Sequence, residues 1–316
     1  MGKNQLTLER YVGYRKANQN RHTKIQYGKI ITFIFLTIFC IIWVLPFFIM
    51  FLGSLRGHLD NMNYPKEIFY PHSGYTLENY KILLLQQYPE DMMGSHNSTQ
   101  EYHMGYWFMN SCISAIGGTL LYLLVASLAA YCFTFMPVRG SKVLFGILVA
   151  SMVIPGTATA VGNQMNIFSW GLNKSLLALI LPGLGGIYGM YLIKTFFMSI
   201  PKDLVESAKM DGYSNLEIFF RIVLPLGKTV LFVQGLFGFM GGWNDLVWPQ
   251  MLFGVKDNKL WTLQVGMAYV INNSRTSDLI GTALAGGVIC LAPVLVAYIL
   301  ASNKIIEGMA SAGIKR

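Results

Sequence analysis

Charged side chains are scarce in this sequence. Of its 316 residues only 12% are Asp, Glu, Lys or Arg, whereas 53% are hydrophobic and the mean hydropathy is +0.46. Soluble domains carry about one quarter charged residues. The composition therefore excludes an ordinary soluble domain and predicts that lipid surrounds most of the protein surface.

Residue sets for catalysis and for metal binding are missing as well. The four cysteines lie in apolar runs without CxxC or Cys/His spacing, so we interpret them as small apolar residues in packed helices. Four of the five histidines fall in 56–106, but their spacing fits no metal template. The "GKT" at 227–229 resembles the end of a P-loop, yet the glycine required five residues before Gly227 is Ile222. We expect no enzymatic activity, no metal and no nucleotide site in this chain.

Six apolar stretches are long enough to cross a membrane, which takes about 20 residues. They predict an all-α membrane protein with an N-terminal tail over 1–29, a transmembrane domain over 30–303 and a C-terminal tail over 304–316. The first stretch is too long for a signal-peptide core and no small-residue cleavage site follows it, so we expect a retained helix. The predicted spans are about 30–53, 107–135, 143–164, 175–196, 228–253 and 279–303.

The distribution of Lys and Arg predicts the orientation. Six spans place both termini on one side, and with the termini inside the inner segments hold seventeen of these residues against seven outside. Cytoplasmic segments carry the excess of basic residues, so we expect both termini in the cytoplasm. The net charge of +9 is then a property of topology, and we expect no nucleic-acid partner.

One charged segment, "ESAKMDGYSNLEIFFRIVLP" at 206–225, lies between the fourth and fifth predicted spans. Pro201 favours a helix start, and Gly212 suits the left-handed residue that follows a helix end. Ser214 and Glu217 have the spacing of a capping box, which predicts a second helix. Pro225 is expected to stop that helix. The sequence therefore predicts a cytoplasmic helix–glycine–helix loop.

The apolar positions of this loop predict which sides of its helices are covered. In the first helix they are Leu204, Val205 and Ala208. In the second helix they follow helical spacing, at Leu216, Phe219, Phe220 and Val223. Two interpretations remain open at this point: a connector on the membrane surface, or a rigid docking element for a soluble partner.

The loop resembles the one in permease subunits of ABC importers. That loop reads Glu-Ala-Ala, three residues, Gly, nine residues, Ile, one residue, Leu-Pro. The positions that match it here are Glu206, Ser207, Ala208, Gly212, Ile222, Leu224 and Pro225. Only Ser207 departs from the pattern, and serine is similarly small to the alanine it replaces.

The resemblance extends over most of the chain from about residue 40 and favours the carbohydrate-uptake branch, of the maltose-transporter type, and its smaller permease. An N-terminal tail and an insertion at 86–106 are longer than is usual for that branch. The matching pieces are "LPFFIMFLGSLR" (45–56), "YTLENYKILL" (75–84), "FMNSCISA" (108–115), "SLAAYCFTF" (127–135), "GLNKSLLALILP" (171–182), "GGWNDLVWPQ" (241–250) and "EGMASAGIKR" (307–316).

The resemblance implies a type I importer permease fold with six transmembrane helices in a prokaryotic cell membrane. It implies import of a sugar or oligosaccharide with a second permease, ATPase subunits and an extracellular sugar-binding protein. The coupling loop, 200–225, would place its first helix, with Leu204 and Val205, in a cleft of the ATPase. ATP and magnesium would bind to that partner.

Two further sets of residues are candidates for the substrate path or for packing. The first set, Trp243, Asn244 and Asp245, lies in the fifth predicted span. An ionisable group such as Asp245 within a span suggests a function. The alternative for Asp245 is a helix cap or a contact to the second permease. Trp261 is expected at an outer surface, facing sugar or the membrane interface. Four closely spaced glycines predict close helix packing, namely Gly185, Gly189, Gly238 and Gly242.

Two alternative functions remain. One is an ABC importer permease for a non-sugar solute, which the loop alone does not exclude. The other is a secondary transporter that acts alone. A secondary transporter needs intramembrane charge pairs or broken helices near the midplane, and the sequence predicts few of either.

Overall fold

The computed structural model describes residues 27–57, 60, 69–86, 102–136, 138–254, 258–273 and 279–313. The N-terminal tail up to residue 26, most of the 86–106 insertion and the last three residues lie outside these ranges. Within them the chain is helical apart from turns and one isolated bridge between Arg56 and Tyr75. This agrees with the all-α class predicted from the sequence.

Thirteen helices and a separate 3₁₀ turn, Asn258–Leu260, cover most of the described chain, and three of the helices have a local change of pitch. α3 contains a π-helical turn, Ile113–Gly117, α6 ends in a 3₁₀ turn, Leu181–Gly185, and α9 contains a π-helical turn, Phe219–Val223. The bounds are α1 Tyr27–Ser54, α2 Glu78–Leu85, α3 Met104–Phe135, α4 Ser141–Ser151, α5 Gly156–Ser169, α6 Leu177–Gly185, α7 Ile187–Phe197, α8 Lys202–Met210, α9 215–226, α10 Lys228–Asn244, α11 Val247–Phe253, α12 Leu263–Asn273 and α13 Ile280–Gly313.

Three helices are long and apolar enough to cross a membrane: α1, α3 and the Ile280–Ser302 part of α13. Two bent pairs, α4 with α5 and α6 with α7, raise the number to five. The fifth predicted span, 228–253, is divided between α10 and α11. Six crossings remain a prediction. The chain forms two compact units, Met1–Phe51 and Leu52–Arg316, of which the first is helical from Tyr27 onward.

Broken helices are more frequent than the sequence suggested, and this expectation was wrong. α4 and α5 meet at 101°, and α6 and α7 meet at 47°. Pro155, with ψ 134°, turns the chain ahead of α5, because proline lacks the N–H that would continue the helix. Gly186, with ψ 78°, separates α6 from α7, and Asp245, with ψ 119°, ends α10.

Glycines allow α7 to approach α3. A Cβ on Gly189 would collide with the Tyr122 hydroxyl, and one on Gly186 would lie 2.5 Å from the same ring. The expected close packing is therefore present at Gly189. It is absent at Gly185, where a Cβ would meet nothing within 4 Å, and Gly186 takes that role instead.

Glycines on α10 form a second close approach to α3. A Cβ on Gly238 would lie 3.3 Å from the Thr119 side chain, and one on Gly242 would lie 3.2 Å from the Ala115 Cα. These separations are tighter than most side-chain contacts, so the packing predicted for both glycines is present. α3 therefore lies between α7 and α10 with little room for larger residues.

Two large buried clusters hold the helices together, and a small third one pairs Ile82 with Leu279. The tryptophan cluster joins α3, α10 and the 258–263 segment, and the loop cluster joins α3 and α7 to α8 and α9. Members of the first include Trp107, Trp243, Trp261 and Leu263. Members of the second include Tyr131, Ile193, Phe197, Val205, Ala208, Ile218, Phe219 and Val223.

Hydrogen bonds fix the 258–263 segment to α3. The Trp107 indole N–H donates to the Asn258 carbonyl at 2.6 Å, and the Asn110 amide donates to the Trp261 carbonyl at 2.9 Å. The Leu263 N–H donates to the Ser111 hydroxyl at 2.8 Å. Trp261 is 3% exposed, so the expectation that it faces a surface was wrong: its ring packs against Trp107 instead, with 5.8 Å between ring centroids.

A buried polar network follows α1. The Asn79 amide donates to the Ser54 and Arg56 carbonyls at 2.9 and 2.6 Å, and the Thr282 hydroxyl donates to Asn79 at 3.4 Å. The Arg56 guanidinium donates to the Asp60 carbonyl. The network thereby ties Ser54, Arg56 and Asp60 to α2 and to the start of α13.

The Asp60 carboxylate is the acidic member of this network. Its oxygens accept hydrogen bonds from the Ser73 hydroxyl and from the Ser73 and His72 amides, the last two at 3.1 and 3.2 Å. Burial favours the neutral acid, but these hydrogen bonds and the Arg56 charge outweigh burial and hold the pKa of Asp60 below its ordinary value. The ionised form of Asp60 is therefore the one that stabilises this network.

Candidate coupling loop and adjacent cavity

The first helix of the loop, α8, has a defined end at Gly212. Its φ is +84°, the left-handed conformation that favours glycine. The Gly212 N–H donates to the Lys209 carbonyl at 3.1 Å, and the Tyr213 N–H donates to the Ala208 carbonyl at 3.0 Å. These two bonds form a Schellman motif, which fixes the direction in which the chain leaves α8.

The second helix, α9, begins with the predicted capping box. The Glu217 N–H donates to the Ser214 hydroxyl at 3.3 Å, and the Ser214 N–H donates to the Glu217 carboxylate at 2.9 Å. The backbone and side-chain hydrogen bonds from Ser214, with a smaller contribution from Arg221, lower the pKa of Glu217. Glu217 and Arg221 are 3.9 Å apart and exposed, so this pair adds little stability.

The predicted helix stop at Pro225 was wrong. The helix continues to Leu226 and pauses only at Gly227 before α10 begins at Lys228. A proline inside a helix loses one hydrogen bond and its ring crowds the preceding turn. The π-helical turn at Phe219–Val223 ends two residues before Pro225 and inserts an extra residue into the turn that the proline ring would crowd. The loop is therefore nearly continuous with α10.

Only part of the predicted apolar surface of α8 is available to a partner. Val205 and Ala208 are 3% and 5% exposed and belong to the loop cluster, whereas Leu204 is 48% exposed and Met210 is 88% exposed. The expectation that Val205 enters a partner's cleft was therefore wrong, because Val205 already packs inside this chain. Leu204 and Met210 are the exposed apolar groups of α8.

The apolar positions of α9 are also divided. Phe219 and Val223 are buried in the loop cluster, but Leu216 and Phe220 are exposed. Ile218, which the helical spacing did not select, is fully buried. The π-helical turn changes the number of residues per turn, so a stripe drawn at ordinary helical spacing does not follow the buried side.

The residues that carry the loop resemblance therefore fall into two groups. Ala208 is buried, and Ile222 and Leu224 are half-buried against the loop cluster. Glu206, Ser207, Gly212 and Pro225 are exposed. One group fastens the loop to the helices and the other faces away from them.

Of the three candidate path residues, Asp245 lines a cavity between the described helices. It lies between α10 and α11, and its carboxylate accepts a hydrogen bond from the Trp248 N–H at 3.3 Å. The cap predicted as an alternative is thus present. Trp243 is buried and donates to the Cys290 carbonyl at 3.0 Å, and Asn244 donates to the Met240 carbonyl at 2.9 Å. Both make packing or helix-end contacts.

The cavity next to Asp245 has a volume of about 400 Å³ and lies between α3, α6, α7 and α10. Within it the Tyr122 hydroxyl and the Gln234 amide oxygen are 3.1 Å apart. The sequence patterns did not select Tyr122 or Gln234. A glutamine within a predicted span is a signal that could have identified Gln234. Seven glycines and four apolar residues line the cavity together with its polar residues, which are Ser114, Thr119, Tyr122, Tyr188, Gln234 and Asp245.

Comparison with known proteins identifies the family. Residues 122–303, more than half of the chain, match the family described as "Binding-protein-dependent transport system inner membrane component". The chain belongs to this family. It is therefore a membrane permease component of a multi-subunit transport system and not an enzyme.

Individual relatives of this permease span most of its length. It is 22% identical to the arabinooligosaccharides transport system permease protein AraQ of Bacillus subtilis, over 89% of this chain and 94% of the relative. It is 30% identical to the osmoprotective compounds uptake permease protein GgtD of Synechocystis, over 74% of this chain and 75% of the relative. It is 30% identical to the galactooligosaccharides transport system permease protein GanQ of Bacillus subtilis, over 66% and 74%.

The permease also has the fold of a solved structure. A chain from a bacterial ABC transporter involved in the import of the acidic polysaccharide alginate superposes with a TM-score of 0.70. The alignment covers 89% of the permease and 97% of that chain at 18% identity, which establishes the importer-permease fold. The family match, 122–303, contains both the coupling loop and Asp245.

Proposed function

We propose that this permease is one of two membrane-spanning subunits of an ATP-driven importer for a sugar or an oligosaccharide. The observation that carries the proposal is that the loop over 200–225 has one buried side and one exposed side. Its buried side is fastened to α3 and α7 through the loop cluster, and its other side exposes Glu206 and Leu204. A segment that is rigidly attached inside and exposed outside is suited to transmit motion from a soluble partner.

The geometry suggests how such motion reaches the helices. An ATPase that moves α8 also moves Val205 and Ala208, which are packed against α3 and α7 in the loop cluster. Since only Gly227 separates α9 from α10, the displacement is passed to α10 as well. α3, α7 and α10 line the cavity beside Asp245. Closure of two ATPases would thus switch the permease between two access states as rigid bodies.

The remaining parts of the importer are proposed from the family and from the sequence. A second permease completes the path, ATPase subunits bind ATP and magnesium, and an extracellular sugar-binding protein delivers the cargo. The excess of Lys and Arg on one side supports an orientation with both termini in the cytoplasm. The loop then lies on the same side as the ATPases.

The relatives favour sugar as the cargo class, because AraQ and GanQ are named for oligosaccharides. A small osmoprotective solute is the second candidate, supported by the relative GgtD. Purification of the native complex identifies its subunits, and thermal shift of its binding protein against mono- and oligosaccharides tests the cargo. A shift with a non-sugar solute alone would overturn the sugar assignment. Uptake by this chain alone in liposomes would overturn the importer.

A pair of adjacent residues tests the loop. Leu204→Ala removes an exposed side chain whose completed burial in a partner contributes about 1 kcal/mol, roughly half of the value for a whole leucine. We expect weaker ATPase association with an unchanged melting temperature. Val205→Ala removes a buried side chain, so we expect a lower melting temperature. Equal effects of both variants on association and on melting would contradict the division of the loop.

A further inference from the structure

A second cavity lies at the base of the coupling loop, apart from the one beside Asp245. Its volume is about 430 Å³, and it is formed by the end of α3, the start of α4, the end of α7 and the first residue of α8. We refer to it as the lysine cavity. Three lysines and four phenylalanines are prominent in its lining, namely Lys142, Lys194, Lys202, Phe133, Phe135, Phe145 and Phe197.

The positive charge of this cavity is not neutralised within the described part of the chain. Its lining contains no carboxylate, and none of the three lysines forms an ion pair with a described residue. The Lys194 ammonium instead lies 4.4 Å from the centroid of the Phe145 ring and 3.4 Å from the Met198 sulfur. Both are weak partners for a cation. Three ammonium groups around one recess therefore favour an anion.

The surface next to the cavity is apolar. No residue of α4 is buried, and Val143 and Ile147, one turn apart on that helix, are 67% and 62% exposed. Lys142, which lines the cavity, directly precedes Val143. A cationic recess joined to an exposed apolar helix surface matches a molecule with an anionic head and hydrocarbon chains.

We infer that the lysine cavity binds the phosphate head group of an anionic phospholipid, with an acyl chain lying along the exposed side of α4. Basic recesses between helices on the cytoplasmic side of membrane proteins suit such head groups. The inference uses the proposed orientation, which places this end of the helices at the inner leaflet. It does not depend on the cargo.

Such a lipid would touch the coupling loop directly. Lys202 is the first residue of α8, whereas Lys142 and Lys194 belong to α4 and α7. A head group held by all three would join the coupling helix to the two helices beside it. The proportion of anionic lipid in the membrane would then influence how firmly α8 is held.

The test measures lipid retained on the purified complex. The complex is reconstituted in nanodiscs of phosphatidylcholine with or without phosphatidylglycerol, extracted, and analysed by native mass spectrometry for bound phosphatidylglycerol. Wild type is compared with Lys142→Gln/Lys194→Gln. The matched control is Lys29→Gln/Lys228→Gln, which removes the same charge from two lysines that the Lys/Arg count also assigns to the inner side and that do not line the cavity.

We expect the cavity variant to retain phosphatidylglycerol about fivefold less well per lysine removed, since a basic residue at an anionic surface contributes roughly 1 kcal/mol. The control variant and a charge-keeping Lys142→Arg/Lys194→Arg variant should retain it as wild type does. An unchanged melting temperature of the glutamine variant would show that lost binding is not lost folding. This readout is independent of transport, so it separates the lipid site from the proposed function.

Several outcomes would overturn the inference. Unchanged retention in the glutamine variant would show that the lipid binds elsewhere, and equal loss in the control would show a general surface attraction. Displacement of phosphatidylglycerol by inorganic phosphate would assign the site to a free anion. Loss of the ATPase subunit from the glutamine variant alone would assign the lysines to a protein contact.

Discussion

Replacement of Gly212 isolates the contribution of the loop's shape. The residue has φ +84°, and a Cβ added there would meet nothing within 4 Å. Alanine therefore brings no collision, and its cost is only that of the left-handed conformation, about 1–2 kcal/mol. Asparagine tolerates this conformation better, so Gly212→Asn should behave almost as wild type.

Proline at the same position should change the shape itself. Its ring fixes φ near −65°, about 150° from the value that Gly212 adopts, and it removes the N–H that donates to Lys209. It also disfavours the φ −75°, ψ 2° conformation of Asp211. The connection between α8 and α9 would then take another direction and strain the contacts of Val205 and Ala208 in the loop cluster, while the spans keep their own contacts.

The assay is ATP hydrolysis by the purified complex, stimulated by the cargo-loaded binding protein, together with uptake into liposomes. We expect a moderate loss with Gly212→Ala and loss of stimulation with Gly212→Pro, with all subunits still present. Gly74 supplies the control, because it has φ +75° and open space around it in a turn far from the loop in sequence. Gly74→Ala should cost similar stability without uncoupling. Stimulated hydrolysis that survives Gly212→Pro in an assembled complex would refute the coupling role.

Three further predictions concern the cavity beside Asp245 and the buried polar network around Asp60. Gly189→Ala forces a methyl group into the Tyr122 hydroxyl and should lower the free energy of unfolding by about 1–3 kcal/mol. Gly185→Ala places its methyl group in open space and should leave the melting temperature unchanged. Equal melting temperatures of the two variants would contradict the close packing at Gly189. Asp245→Ala removes a helix cap and should lower the free energy of unfolding by about 0.5–2 kcal/mol. Asp245→Asn keeps the cap but removes the negative charge. Unchanged uptake by the asparagine variant would show that the carboxylate is not needed in the cargo path. Folding lowers the pKa of Asp60. The stability that the ionised Asp60 contributes to the folded protein is therefore complete above the ordinary aspartate pKa, about 3.9. It is lost as the pH falls through the lowered pKa of the folded state. Asp60→Asn should flatten the acid side of the melting profile, and an unchanged acid side would show that another group causes it.

Local patterns in the sequence predicted local structure well. Gly212 has the left-handed conformation and Ser214 forms the capping box, because both features depend on a few neighbouring residues whose chemistry is visible in one dimension. The family resemblance placed the chain correctly among importer permeases. The close packing of Gly189, Gly238 and Gly242 was also indicated by their spacing.

Features that depend on tertiary packing were not predictable in the same way. The spacing of Val205 resembles that of Leu204, yet only the position of α3 and α7 decides which of the two is buried. Pro225 was predicted to end a helix, because the π-helical turn that precedes it has no sequence signature. Trp261 is a common residue of membrane interfaces, and its burial against Trp107 joins positions more than 150 residues apart.

The stacking of Trp107 and Trp261 also gives the protein an intrinsic optical probe. Both indoles are buried and close enough for their transitions to interact, whereas Trp43 and Trp170 are 64% and 63% exposed. Replacing the exposed pair with phenylalanine would leave near-ultraviolet circular dichroism and fluorescence dominated by buried indoles. Separation of the 258–263 segment from α3 would then change the spectrum, so opening of this end of the permease can be timed in this variant without any attached label.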